Sequence, residues 1–373
     1  MSLPPILETT EQVADFVATL ENGQSIAVDL EADSMHNYQE KVCLLQVTIP
    51  EETVLIDPLA GAGLDPLKAV LGDDRIRKIF HAADYDIRCL ARDFSIEIRG
   101  LFDTMIACQF LGEERFGLAD ILKKYFSVEL DKQYQRADWS RRPLSAEMIR
   151  YAAEDTLHLH QLAEQLEQRL REKGRLAWVE EEFSLLEQVR FADQQGNELL
   201  RFKGAGRLNR RQLAVLEAVL NWRDNEARRR DSPLFKVLGN KVVLALALAA
   251  PQSRQQLDKV EGFPSRLRQR YGDRILEHIA AAMQIPETEL PVYPRAERKE
   301  KDPAGEQRLK RLKQWRQAKA KQLELDPGVL INNATLELLA ERRPRTIEDL
   351  AADDELKKWQ LRELGPGILE TLN

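Results

Sequence analysis

The stretch "SIAVDLEAD", residues 25–33, decides how the rest of the chain is read. Ile26, Val28 and Leu30 alternate, so a strand here buries one apolar face. Asp29 and Glu31 then share the opposite face, because side chains alternate with a period of two. No lysine or arginine lies in the stretch to neutralise them. Two carboxylates side by side at the end of a core strand need a cation from elsewhere. Around this strand, "KVCLLQVTI" (41–49) and "TVLIDPL" (53–59) follow across short polar connections, which predicts antiparallel hairpins. "RKIFHAA" (77–83) is expected as a fourth strand and "IEIRGLFD" (96–103) as a short fifth. Between them Ile87, Leu90, Ala91 and Phe94 make a helical stripe, and after Asp103 the pattern is almost wholly helical. The expected fold is α/β plus all-α, a mixed sheet covered by helices and followed by helical domains.

Further acids lie downstream. "HAADYDIRCL" puts Asp84 and Asp86 where the fourth strand enters a helix. In "MIRYAAEDTLHLHQL" a single helix would align Met148, Ala152, Asp155, Leu159, Leu162 and Leu166 on one stripe. Asp155 is then a carboxylate within an apolar face, and such a group needs a cation, a cage of hydrogen bonds or a metal. Hard oxygen donors without a Cys or His cluster point to Mg²⁺ or Mn²⁺ rather than zinc. Two such ions about 4 Å apart can clamp the attacking and leaving oxygens of a phosphodiester. Tyr151 precedes Asp155 by four residues, so both meet on one helix face, where a hydroxyl can orient an attacking water. Asp84 competes with Asp86 for a ligand position and otherwise suits a helix N-cap. Asp103 is expected to cap the helix beginning "TMIACQF".

The C-terminal part repeats itself. Trp222 aligns with Trp315 at an offset of 93, and the same offset carries Pro251, Leu257, Gly272, Ile275 and Glu277 onto Pro344, Leu350, Gly365, Ile368 and Glu370. That pattern predicts two copies of one small helical domain. The expected boundaries are 1–200 for the sheet domain, 205–285 and 306–373 for the copies, and 286–305 for a linker rich in proline and charge.

The chain carries a net charge of −7, which argues against nucleic acid as a partner until its distribution is examined. Eleven Lys/Arg against four Asp/Glu fall between Arg295 and Lys321, and "RRR" occupies 228–230. Such patches either bind phosphate or form solvated helix faces. Arg141 and Arg142 are candidates for phosphate contact, and Trp139 for base stacking or core packing. Cys43, Cys89 and Cys108 are too far apart for a CxxC motif, which argues against a disulfide framework and favours a reducing compartment. No basic segment followed by an apolar run opens the chain, and "VVLALALAA" from Val242 is far short of the roughly 20 residues of a membrane span. The expected setting is cytoplasmic, with no membrane partner, and the expected state a monomer.

Taken together, "DLE" at 29–31, "HAADYD" at 81–86 and "YAAED" at 151–155 resemble the three exonuclease motifs of the DEDD superfamily, in its tyrosine-containing branch. "LFDTMIA" (101–107) and "DWSRRPLS" (138–145) read like that family's connecting segments. The repeated C-terminal domain resembles the HRDC domain, and an exonuclease domain followed by two copies is the arrangement of the ribonuclease D family. The resemblance implies a ribonuclease H-like first domain and a metal-dependent 3′–5′ exoribonuclease. It puts metal ligands at Asp29, Glu31, Asp86 and Asp155, holding two Mg²⁺ or Mn²⁺ ions, and the family's tyrosine at Tyr151. Implied partners are RNAs with a single-stranded 3′ end, such as tRNA precursors. The family continues its first motif with an aromatic-rich stretch that helps seat the terminal nucleotide, whereas here Ala32 and "DSMHNY" follow. A DNA exonuclease of repair type, or a silent nucleic-acid-binding protein, would share much of this pattern.

Overall fold

In the computed structural model, described for residues 3–20, 24–191, 198–294, 302–352 and 355–373, six strands form one mixed sheet. They are β1 (Ile6–Leu7), β2 (Ile26–Ala32), β3 (Val42–Thr48), β4 (Thr53–Ile56), β5 (Lys78–Phe80) and β6 (Leu101–Asp103), in the order β1-β4-β3-β2-β5-β6. β2, β3 and β4 are antiparallel neighbours, as the hairpin pattern predicts, while β5 runs parallel to β2 and β6 parallel to β5. β1, only two residues long, leaves no alternation to read and pairs parallel with β4. The fourth and fifth strands are shorter than expected. Ala82 adopts a left-handed φ of 68° just past β5, and Gly100 one of 69° just before β6.

Helices α1 (Thr10–Ala18), α2 (Asp65–Gly72), α3 (Asp84–Phe94), α4 (Thr104–Leu111), α5 (Leu118–Phe126), α6 (Ala146–Leu157), α7 (Leu159–Glu172) and α8 (Leu176–Leu186) complete this part. α6 packs on β2, β3 and β4. The anticipated stripe from Met148 to Leu166 is split between two helices, because the chain breaks at His158, whose φ and ψ are −103° and 0°. Leu159, Leu162 and Leu166 are still buried, on α7.

The chain divides into two compact units. The first joins residues 1–32 and 42–191 to residues 300–373, which hold α15 (Pro303–Leu323), α16 (Pro327–Leu330), α17 (Asn333–Arg342), α18 (Ile347–Ala351) and α19 (Lys358–Leu372). One hydrophobic core runs through all of them. Trp359 is wholly buried, stacked on Trp178 at 5.0 Å and edge-on to Phe110 at 5.4 Å. Its indole N–H donates to Glu182, and Glu181 accepts from the amides of Lys358 and Trp359 at the start of α19.

The second unit comprises residues 33–41 and 192–299, with α9 (Glu198–Arg201), α10 (Arg210–Arg229), α11 (Leu234–Val237), α12 (Asn240–Ala249), α13 (Arg254–Leu257) and α14 (Ser265–Met283) around a core of their own. The repeat seen in the sequence is also a repeat of contacts. Arg223 donates to the carbonyl of Leu238 and to Asn240, and Arg316 donates to the carbonyl of Ile331 and to Asn333. Each of these residues has its counterpart 93 positions on. Residues 295–301, within the expected linker, lie outside the described residues. No helix among the described residues is long and apolar enough to cross a membrane.

Candidate active site

The β2–β3 register sets the floor of the site. Asp29 faces Gln46 and Glu31 faces Leu44, so all four project from one face of the sheet. α6 covers that face. The Thr48 hydroxyl lies 2.7 Å from that of Thr156, and Leu44 packs in one cluster with Tyr151 and Ala152. The helix thereby brings Tyr151 and Asp155 over the D-x-E pair. Ser145 caps its start by accepting from the Met148 amide. The Tyr151 ring is held between Tyr134 at 5.9 Å and Trp139 at 6.0 Å.

Asp86 arrives from the first turn of α3 and is buried. The turn before it is fixed by Asp103, whose carboxylate accepts from the amides of Ala82 and Ala83 at 3.2 and 2.7 Å. The same carboxylate caps α4 through Met105 and Ile106, as expected. Asp84 differs from expectation. The N-cap of α3 is Ala83, and Asp84 instead pairs with Arg88 one turn on. His81 is held with its Nδ1 2.9 Å from the Thr104 hydroxyl, and burial pushes its pKa down to about 4.

Electrostatically the four acids behave as one group. Burial, and then the charge of Asp86, raise Asp29 well above the ordinary carboxylate range. Glu31 is pushed up to about 10 by burial and by Asp29, Asp155 and Asp86. Asp155 rises to about 8 through burial, then Asp29 and Glu154. Asp86 is raised by burial, then by Asp103 and Asp84. Tyr151 is raised by burial and by Asp155, Glu31 and Asp29, which keeps its hydroxyl protonated. Among the described residues no lysine or arginine offsets any of the four acids. Nor does any trio of His, Cys, Asp or Glu close to coordination distance. The acids share a field that a cation would relieve, in an arrangement still open.

Two sequence candidates have other work. Trp139 is 1% exposed, so its ring braces Tyr151 and cannot serve as a platform for a base. Arg142 makes a two-pronged ion pair with buried Asp57 and donates to the carbonyls of Cys43 and Trp139, which leaves no free edge for phosphate. Arg141 is paired with Asp138 but remains largely exposed. The segment after the first motif also departs from expectation. The Tyr38 hydroxyl donates to Asp224, its amide to Asp231, and Arg228 lies 5.5 Å over its ring, so the loop folds with α10. Sequence reasoning missed Gln46, fully buried with no hydrogen-bond partner for either amide atom among the described residues. Its one signal is a polar residue in the apolar run of β3.

Comparison with known proteins places the chain among relatives of one kind. A family model described as 3′-5′ exonuclease matches residues 4–171, and one described as HRDC domain matches 212–279 and 305–372. A ribonuclease D from Acidiphilium cryptum is 33% identical over 81% of this chain and 78% of its own length. One from Pseudomonas paraeruginosa is 31% identical over 93% of this chain and 92% of its own. Among solved structures, Escherichia coli RNase D, described as an exoribonuclease involved in structured RNA processing, superposes with a TM-score of 0.74. It is 25% identical, with 100% of this chain and 99% of that one covered.

Proposed function

The chain belongs to the ribonuclease D family and is a 3′–5′ exoribonuclease, and from that premise we propose that it trims single-stranded 3′ ends of structured RNA, tRNA precursors among them, releasing nucleoside 5′-monophosphates. Its ribonuclease H-like sheet domain carries the chemistry, and the helical HRDC regions hold the RNA body. One observation carries the reading. Four acids from β2, α3 and α6 are gathered where burial and neighbouring carboxylates raise every one of them, and among the described residues no basic side chain relieves them.

That donor set, all carboxylate oxygen, fits Mg²⁺ or Mn²⁺. Asp29, Glu31, Asp86 and Asp155 would hold two such ions. When bound, the ions supply neutralisation of the phosphodiester charge and activation of water at neutral pH. The Tyr151 hydroxyl, kept protonated by its surroundings, orients the attacking water, while Trp139 and Tyr134 keep its ring from turning. Arg141 contacts a phosphate of the entering tail, and the enzyme works as a cytoplasmic monomer.

The test is single-turnover decay of a 3′-tailed hairpin RNA and its DNA counterpart, with Mg²⁺ or Mn²⁺ and with chelator. Stepwise loss of 5′-monophosphates from the RNA 3′ end, stopped by chelator, is expected. Products bearing 3′-phosphates, or DNA cleaved faster than RNA, would overturn the proposal.

A further inference from the structure

Gln46 is an anomaly in a well-packed strand. It is 0% exposed, and neither its Oε1 nor its Nε2 has a hydrogen-bond partner among the described residues. Buried amides are nearly always paired, and leaving one unpaired costs stability. A leucine or valine, like its neighbours in "VCLLQVT", would fill the same space without that cost.

Its place explains what it is for. Gln46 faces Asp29 across the β2–β3 ladder, and directly opposed side chains in an antiparallel pair have Cβ atoms about 5 Å apart. On its own strand it lies between Leu44, which packs with Tyr151 and Ala152, and Thr48, which bonds Thr156. Gln46 therefore sits under the turn of α6 that carries Asp155, on the same face of the sheet as Asp29 and directly across the ladder from it. An amide is the side chain that can donate there without titrating. A glutamate would add a fifth charge to four acids that already repel, and a lysine would compete with the ion.

We infer that Gln46 is a positioning residue for Asp29: with a divalent cation bound, Nε2 donates to that carboxylate and fixes its orientation toward the ion. The stability that an unpaired amide costs is recovered when Nε2 bonds that carboxylate, as for residues that orient metal ligands from behind. The inference rests on the metal-dependent reading above.

The experiment compares full-length wild type with Gln46→Leu and Gln46→Met, two apolar replacements of similar volume. Calorimetry measures Mn²⁺ binding without RNA, and thermal melting is followed without metal. The metal-free midpoint should stay equal or rise in both variants, while Mn²⁺ binding weakens about 10- to 100-fold. Single-turnover rates at saturating Mn²⁺ should recover most of the wild-type value, because Gln46 touches neither RNA nor water of attack. Wild-type Mn²⁺ affinity in both variants would overturn the assignment. So would a metal-free midpoint several degrees lower in both, since that means the amide is already bonded inside the protein. If wild type itself takes up no Mn²⁺, the metal-dependent reading falls instead.

Discussion

At the scale of single residues, the four acids tie stability to pH in a direction that can be worked out. Glu31 and Asp155 have folded pKa values of about 10 and about 8, above the ordinary range, and Asp29 is raised too. The metal-free folded protein keeps protons that the unfolded chain has already lost, so stability present at low pH falls as pH rises. Between pH 6.5 and 8 other groups interfere little, because His81 titrates lower, near 4, and Lys78 only from about 8 upward. In that window the metal-free midpoint should fall with pH, by at most about 1.4 kcal/mol per pH unit per retained proton. Saturating Mg²⁺ should raise the midpoint and flatten the slope. Asp29→Asn should abolish nucleolysis, leave the metal-free protein at least as heat-stable, and lose the gain from Mg²⁺. A flat metal-free profile in wild type would mean that the acids are ionised and relieved by something else. Tyr151 and Asp155 separate by the same logic. Tyr151→Phe keeps the ring packed between Tyr134 and Trp139 and removes one oriented hydrogen bond, costing about 10²–10⁴ in single-turnover rate. Asp155→Asn should weaken the ions themselves, so excess Mn²⁺ rescues it in part but does not rescue Tyr151→Phe. Identical responses of both variants to Mn²⁺ would merge the two roles.

At the scale of elements, what was legible in the sequence is what local spacing controls. The alternation in β2 puts Asp29 and Glu31 on one face, and four-residue spacing puts Tyr151 beside Asp155 on α6, with no help from the rest of the chain. Arg142 and Gln46 were opaque because their partners are chosen by tertiary pairing. Asp57 meets Arg142 across 85 positions of sequence, and Gln46 meets Asp29 only through the β2–β3 register. The helix break at His158 was equally hidden, since the apolar stripe runs straight through it. The repeat, by contrast, was legible because both copies keep the same internal bonds, with Arg223 and Arg316 at one position. Arg142 yields a prediction of its own. Its partner Asp57 is 2% exposed and would lose both prongs of the ion pair, keeping its bonds from Leu59 and Ala60. Arg142→Gln should therefore cost about 3 kcal/mol of stability by denaturant titration and leave the affinity of the folded protein for short single-stranded RNA unchanged. Weakened RNA binding with unchanged stability would return Arg142 to the phosphate-binding role that the sequence suggested.

At the scale of the whole molecule, the two copies of the repeat are not interchangeable, and truncation distinguishes them. From the sequence, a chain ending near Leu200 is expected to keep activity on short single strands yet lose much of its affinity for structured RNA. The structure argues against the first half of that expectation. Residues 300–373 share one hydrophobic core with the catalytic sheet. Cutting after Leu200 would uncover Trp178 and Phe110, strip Glu181 and Glu182 of their bonds from α19, and leave Arg175 without the Leu323 carbonyl. Removing a single buried tryptophan such as Trp359 costs about 3–5 kcal/mol, against a total stability of about 5–15 kcal/mol. The truncated chain should therefore melt far below the full one or aggregate, and be inactive on every substrate. Replacing residues 192–299 with a long glycine-serine linker keeps the first unit's own core intact. That protein should still shorten brief single strands, while its affinity for a 3′-tailed hairpin falls. Its binding should also respond less steeply to salt, because each lost phosphate contact lowers the slope of log K against log salt by about 0.7–0.9. Melting curves and a salt titration of hairpin binding on the three proteins decide the matter. A chain ended after Leu200 that melts like the full protein would separate the second copy from the catalytic core, and an unchanged salt slope after excision would show that the first copy does not grip RNA.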